Sequence, residues 1–257
     1  MAGCRGCPRH TNNFMAIDIS NSTETTSACW SCGEMRAAQF CTACGKVQPP
    51  QPVDYFSFFG LPRKLNVDLS ALERGFYELS RKLHPDLYVR DQPREQAWSL
   101  EQSSLLNDAY RTLKDPIRRT EYLLRLEGVE LEEQSKAATE KARASGEQKK
   151  QVVPPDLLEE VFDLNMQLEE LRMQKKMGED DPALIEEVGR QKLELEAKYQ
   201  ALLDELKGDW SQWDGVVESG TAEDRRQVRD QMVDLLNRRN YIRNLVRTVE
   251  EVLESGG

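Results

Sequence analysis

Residues 69–86 read Leu69-Ser-Ala-Leu72-Glu-Arg74-Gly-Phe76-Tyr-Glu-Leu79-Ser-Arg81-Lys82-Leu83-His84-Pro85-Asp86. Leu69, Leu72, Phe76, Leu79 and Leu83 recur at steps of three and four, which gathers them on one helical face. Arg74, Arg81 and Lys82 fall on the polar face. Pro85 ends the helix by removing a donor and by driving His84 out of the α region. The stretch therefore predicts an amphipathic helix with an imidazole and a carboxylate in the loop beyond its end, beside basic side chains.

A second helix is expected from about Trp98 through Leu105, Leu106, Ala109, Tyr110 and Leu113, with Asp115-Pro116 interrupting it before Ile117–Leu126. Pro85 and Pro93 mark the loop between the two. Helices with one apolar stripe each bury those stripes most simply as an antiparallel hairpin. His84 and Asp86 have two other readings, a catalytic pair and an ordinary helix terminus. A hairpin is too small to supply the nucleophile and pocket that catalysis needs.

Further along, three stretches keep a heptad rhythm, at roughly 155–177, 182–207 and 222–254. Gly178–Pro182 and Gly208–Gly220 supply the breaks, so the reading is an antiparallel three-helix bundle in an all-α chain. Trp210 and Trp213 fall in the second break and are expected to cap the end of the core. Beside the seam Leu157, Val161, Leu164, Leu168 and Leu171, the first stretch carries a second apolar line: Leu158, Phe162 and Met166. Such a surplus either packs more deeply against the rest of the chain or offers a partner a docking surface.

The six cysteines all lie within the first 44 of 257 residues. Cys29-Trp-Ser-Cys32-Gly33 and Cys41-Thr-Ala-Cys44-Gly45 are matched knuckles, each placing two thiols on one tight turn. The glycine after the second cysteine permits the positive φ that brings backbone N–H groups toward sulfur. Four thiolates suit a closed tetrahedral site of the structural zinc kind, with iron the weaker choice because nothing else here points to redox chemistry. A disulfide pairing is the competing reading. Cys4 and Cys7, with His10 nearby, form a third pair that lacks a partner knuckle. Pro49-Pro50-Gln51-Pro52 favours an extended path and marks a boundary. The expected organisation is a mobile tail over 1–28, a metal module over 29–48, a hairpin domain over 54–126, a linker over 127–153 and the bundle over 154–254.

Lys and Arg number 35 against 45 Asp and Glu, for a net charge of −10. That balance argues against a phosphate-backbone binder and leaves a zinc-ribbon coiled-coil nucleic-acid protein as a minor alternative. No window approaches the ~18 apolar residues of a membrane span. The N-terminal residues offer neither an apolar export core nor an Arg-rich amphipathic helix, so the expected compartment is the bacterial cytoplasm, with the mitochondrial matrix as the alternative.

Asp54-Tyr55-Phe56, Phe59-Gly60-Leu61-Pro62, the helix Tyr77–Leu83, His84-Pro85-Asp86, Asn107-Asp108-Ala109-Tyr110 through Leu113, Asp115-Pro116 and Arg118 together resemble a J domain. Arg119-Thr120-Glu121-Tyr122-Leu123-Leu124 and the helical C-terminal region resemble, within that class, the HscB family of iron–sulfur cluster co-chaperones. The likeness is strong over 54–126 and looser over 154–254, and the knuckles are similar to the N-terminal metal module that some members carry. The resemblance implies a non-enzymatic activator of a DnaK/HscA-class heat-shock ATPase. His84, Pro85 and Asp86 would be its trigger, with Arg74, Arg81 and Lys82 as electrostatic docking residues. It also implies that the bundle binds the cluster scaffold IscU through Leu158, Phe162, Asp163, Met166 and Glu170, with Tyr241 from the third helix. Glu159 stands where the family commonly has an apolar residue, and Met166 where it commonly has an acid. A generic J protein for unfolded clients is a further alternative.

Overall fold

The computed structural model describes residues 28–35, 39–129, 154–179 and 181–254. Outside them lie residues 1–27 of the expected tail, with Cys4, Cys7 and His10, and residues 130–153 of the expected linker. The chain divides into two compact units between Pro49 and Pro50.

The first unit is built from one turn used twice. The Cys29 N–H donates to the Glu34 carbonyl at 2.8 Å and the Gly33 N–H to the Cys29 carbonyl at 2.9 Å. Cys41, Lys46 and Gly45 repeat the pair at 2.9 and 2.8 Å. Closing each turn needs a left-handed residue, and Gly33 and Gly45 supply it at φ 77° and 72°. Isolated bridges, Ala28 with Met35 and Phe40 with Val47, flank the turns, and no longer strand occurs among the described residues.

The second unit is helical throughout. It begins with a short helix, α1 (Tyr55–Phe58), capped by Asp54, whose carboxylate accepts from the Ser57 N–H at 3.0 Å and from Arg63 Nη2 at 2.9 Å. The hairpin follows as α2 (Leu69–Leu83) and α3 (Pro93–Lys114). α3 starts at Pro93 rather than near Trp98 because its first turns bury Glu95 and Ser99, polar residues that an apolar pattern passes over. Asp115 caps α4 (Pro116–Leu126) by accepting from the Ile117 and Arg118 N–H groups at 2.9 and 2.8 Å.

The bundle consists of α5 (Leu158–Met177), α6 (Pro182–Ser219) and α7 (Ala222–Glu254). Gly178, at φ 73°, ends α5. Cross-contacts fix the directions. Arg238 pairs with Asp156, and Lys175 Nζ donates to the Val252 and Leu253 carbonyls, so α5 runs parallel to the later part of α7. Lys192 pairs with Glu250 while Arg239 donates to the Tyr199 hydroxyl, so α6 runs antiparallel to α7 and hence to α5. The expected break at Gly208 does not occur: α6 continues through Gly208 and Gly215 to Ser219. Trp210 and Trp213 are therefore buried helical residues rather than a turn capping the core. Two glycines in a helix cost about 1 kcal/mol each. Burying each large aromatic returns about 2–3 kcal/mol, so the helix prevails.

The α6 extension positions the hairpin. The Leu65 N–H donates to Asp214 Oδ1 at 2.7 Å and the Asn66 N–H to Oδ2 at 2.9 Å. Lys64 pairs with Glu218, and the Arg119 guanidinium lies 5.2 Å from the Trp210 ring centroid. From that attachment α2 rises about 22 Å at 1.5 Å per residue, which sets its far end away from the contact.

Candidate functional site

At that far end the chain turns sharply. His84 is extended at φ −61° and ψ 127°, as the following proline requires, and Pro85–Tyr88 form a 3₁₀ turn. The last carbonyls of α2, which have no partner inside the helix, are taken up by side chains. Ser99 and Ser103 of α3 each donate an Oγ–H to the Leu83 carbonyl at 2.7 Å, and the Tyr88 hydroxyl donates to the Lys82 carbonyl at 2.9 Å. Leu83 itself is fully buried. The turn is thus held from beneath, by buried Tyr88 among others, while the His84 and Asp86 side chains face water at 58% and 85% exposure.

Within the turn the Asp86 N–H donates to His84 Nδ1 at 3.3 Å, and Asp86 Oδ2 lies 3.6 Å from the same nitrogen. An accepting Nδ1 leaves the ring proton on Nε2. Beside the turn, Arg74, Tyr77, Glu78, Arg81 and Lys82 line a shallow open depression. Lys82 bonds Glu78 one turn back at 2.7 Å, and that bond holds the Glu78 carboxyl below its usual range. Of the predicted basic residues, Arg81 and Lys82 in the last turn of α2 adjoin the His84–Asp86 tip, whereas Arg74 lies more than two turns back along the same helix.

The second apolar line of α5 does not pack inward. Phe162 is 64% exposed, Leu158 and Met166 are exposed likewise, and Asp163 and Glu170 stand in water beside them. Glu170 shares a groove with Phe162 and Met166. Tyr241 departs from the prediction. It is 7% exposed, packs within the bundle core, and does not stand on the ridge, because the inner face of α7 buries apolar area that the ridge would leave wet.

In the cysteine module the four Sγ atoms lie within 4.8 Å of one another, with Cys29 to Cys44 at 3.7 Å and Cys32 to Cys41 at 3.6 Å. A tetrahedron with metal–sulfur bonds of about 2.3 Å has sulfurs about 3.8 Å apart, so the donor set fits a thiophilic metal ion. Cys29 and Cys41 are buried, Cys32 and Cys44 exposed. Burial would raise the Cys29 thiol, but N–H groups of Cys32 and Ser31 outweigh it and lower the pKa to about 6. The Glu34 N–H lowers Cys32, yet the neighbouring sulfurs, Cys41 foremost, push it up to about 12. Four clustered thiolates need a cation between them.

No family model matches the chain. Among known proteins, it is 40% identical over 111 residues to the mouse iron–sulfur cluster co-chaperone HscB, covering 41% of this chain and 47% of that one. It is 38% identical over 113 residues to the Arabidopsis thaliana homolog, covering 44% and 45%. To the HscB homolog of Vibrio cholerae serotype O1 it is 43% identical over 79 residues, covering 31% and 46%. The crystal structure of human HscB superposes with a TM-score of 0.58 at 25% identity, over 87% of this chain and 97% of that one.

The chain resembles the HscB co-chaperones.

It spans about half the length of the curated relatives it matches. The HscB likeness extends to the all-α fold, and the HscB-like chain carries the four-cysteine group near its N-terminus. No described helix is long and apolar enough to cross a membrane. On this HscB-like frame, sequence reasoning passed over two features of the sites. Tyr77, half-exposed between Arg74 and Arg81, shares their depression. Met173 and Met177 continue the ridge and line its groove. Their signal was the spacing 158, 162, 166, 173, 177, which keeps the helical period beyond the first three residues.

Proposed function

We propose that this chain stimulates the ATPase of a DnaK/HscA-class heat-shock chaperone and delivers the iron–sulfur cluster scaffold IscU to it, without turning over a substrate of its own. The observation that carries this reading is the His84–Asp86 turn, solvent-facing at the tip of a hairpin whose helix end is bonded from below. Asp86 presents an exposed carboxylate for a guanidinium of the chaperone, and Arg74, Arg81 and Lys82 steer the encounter with an acidic surface. Leu158, Phe162 and Met166, edged by Asp163 and Glu170, form the scaffold-docking ridge.

Cys29, Cys32, Cys41 and Cys44 would hold one zinc ion in a structural role, since a segment this short cannot build an apolar core and a four-thiolate set leaves no open position for catalysis. The test is the steady-state ATPase rate of a purified DnaK/HscA-class chaperone with this chain, with IscU, and with both. Stimulation beyond the sum of the two separate effects is the expected result. Equal stimulation by an unfolded polypeptide in place of IscU would support a generic J protein instead.

A further inference from the structure

Gln48 is buried, 5% exposed, at the end of the cysteine module. Its Nε2 reaches two acceptors, Cys29 Sγ at 3.3 Å in the first knuckle and the Lys46 carbonyl at 2.8 Å in the second. Both partners accept, which fixes the amide with its nitrogen toward them. Its main-chain N–H donates to the Gln39 carbonyl at 2.9 Å, so the side chain is held at its base as well as at its head.

A buried glutamine amide beside sulfur has a definite electrostatic use. A divalent ion held by four thiolates leaves two negative charges on the sulfurs. Water screens that charge at exposed Cys32 and Cys44, while Cys29 is buried and depends on protein donors. The Ser31 N–H supplies one at 3.4 Å and the Gln48 amide another. Gln48 is also placed to tie the two knuckles together, because its two acceptors belong one to each.

We propose that Gln48 is a positioning residue of the tetracysteine centre: its amide draws charge from the Cys29 sulfur and holds that sulfur in place for a thiophilic divalent ion such as zinc. This rests on the metal reading given above. A donor outside the ligand set is typically worth about 10–100-fold in metal affinity. A hydrogen bond to a ligating sulfur also lowers the energy of its lone pairs, so removing it moves thiolate-to-metal charge transfer to lower energy.

The experiment titrates the full chain with Co²⁺ and Zn²⁺ against a chromogenic chelator. Gln48→Leu is expected to weaken both ions by about 10–100-fold and to shift the thiolate-to-Co²⁺ absorption to lower energy, with the tetrahedral d–d bands retained. Gln48→Lys, which keeps an N–H donor within reach, is expected to restore the band position and most of the affinity. Wild-type affinity and an unshifted band in Gln48→Leu overturn the proposal, as does a loss of affinity that leaves the band unmoved or that Gln48→Lys shares in full. A wild-type chain that takes up no stoichiometric ion removes the metal reading and this inference together.

Discussion

The Leu65 main-chain N–H donates to the Asp214 carboxylate at 2.7 Å, and through this bond the bundle holds the segment that leads into α2. The second Asp214 oxygen takes the Asn66 N–H, so one side chain satisfies two consecutive donors. Hydrogen bonds to a charged group contribute about 1.5–3 kcal/mol. Asp214→Ala is expected to lower stability in urea by that amount. Asp214→Asn, with a single acceptor oxygen, should fall between the two. Wild-type stability in both variants would show that the contact does not hold the hairpin.

Asp54 gives the chain a pH-dependent contact. Burial alone would raise its carboxyl, but the Ser57 N–H and Arg63 bonds outweigh burial and set the folded pKa below the ordinary value. A group shifted in that direction supports the fold above its unfolded pKa of about 3.9. That support is lost as pH falls through the lower folded value. Urea denaturation of Asp54→Asn and wild type should show a gap of about 1.5–3 kcal/mol at pH 7 that narrows toward pH 3. A gap that stays constant with pH would mean that the charge contributes nothing.

Phe162 separates docking from packing. Its ring is largely in water, so Phe162→Ala should leave the melting temperature unchanged. Calorimetric titration with IscU should show a loss of about 2 kcal/mol or more, as for a central interface aromatic. Unaltered binding would remove the α5 ridge as the scaffold site.

The sequence displayed the hairpin, the knuckles and the ridge because each rests on local pattern: a helical period, a proline stop, a Cys-x-x-Cys turn. It hid what depends on packing. Gly178 and Gly208 look alike in one dimension, yet only Gly178 ends a helix. Gly178 adopts a left-handed conformation ahead of the Asp181 cap and Pro182, whereas Gly208 lies on the exposed side of a helix whose buried stripe continues from Leu202 and Leu206 to Trp210 and Trp213. Tyr241 was misplaced for a similar reason, since a position on α7 does not reveal which face the other helices cover. A Cβ added at Gly208 would meet nothing within 4 Å. Gly208→Ala should therefore raise stability by about 0.5–1 kcal/mol, and a loss on thermal melting would contradict the continuous α6.

The central claim is that the His84–Asp86 tip switches on the ATPase of another protein. Its most direct test is the single-turnover ATP hydrolysis rate of a DnaK/HscA-class chaperone with wild type and with His84→Gln. The Asp86 N–H that His84 Nδ1 accepts is exposed, so water can replace that acceptor, and the replaced ring is more than half exposed; circular dichroism and melting temperature should therefore match wild type. Stimulation should disappear in that folded variant. A rate enhancement equal to wild type would contradict the account.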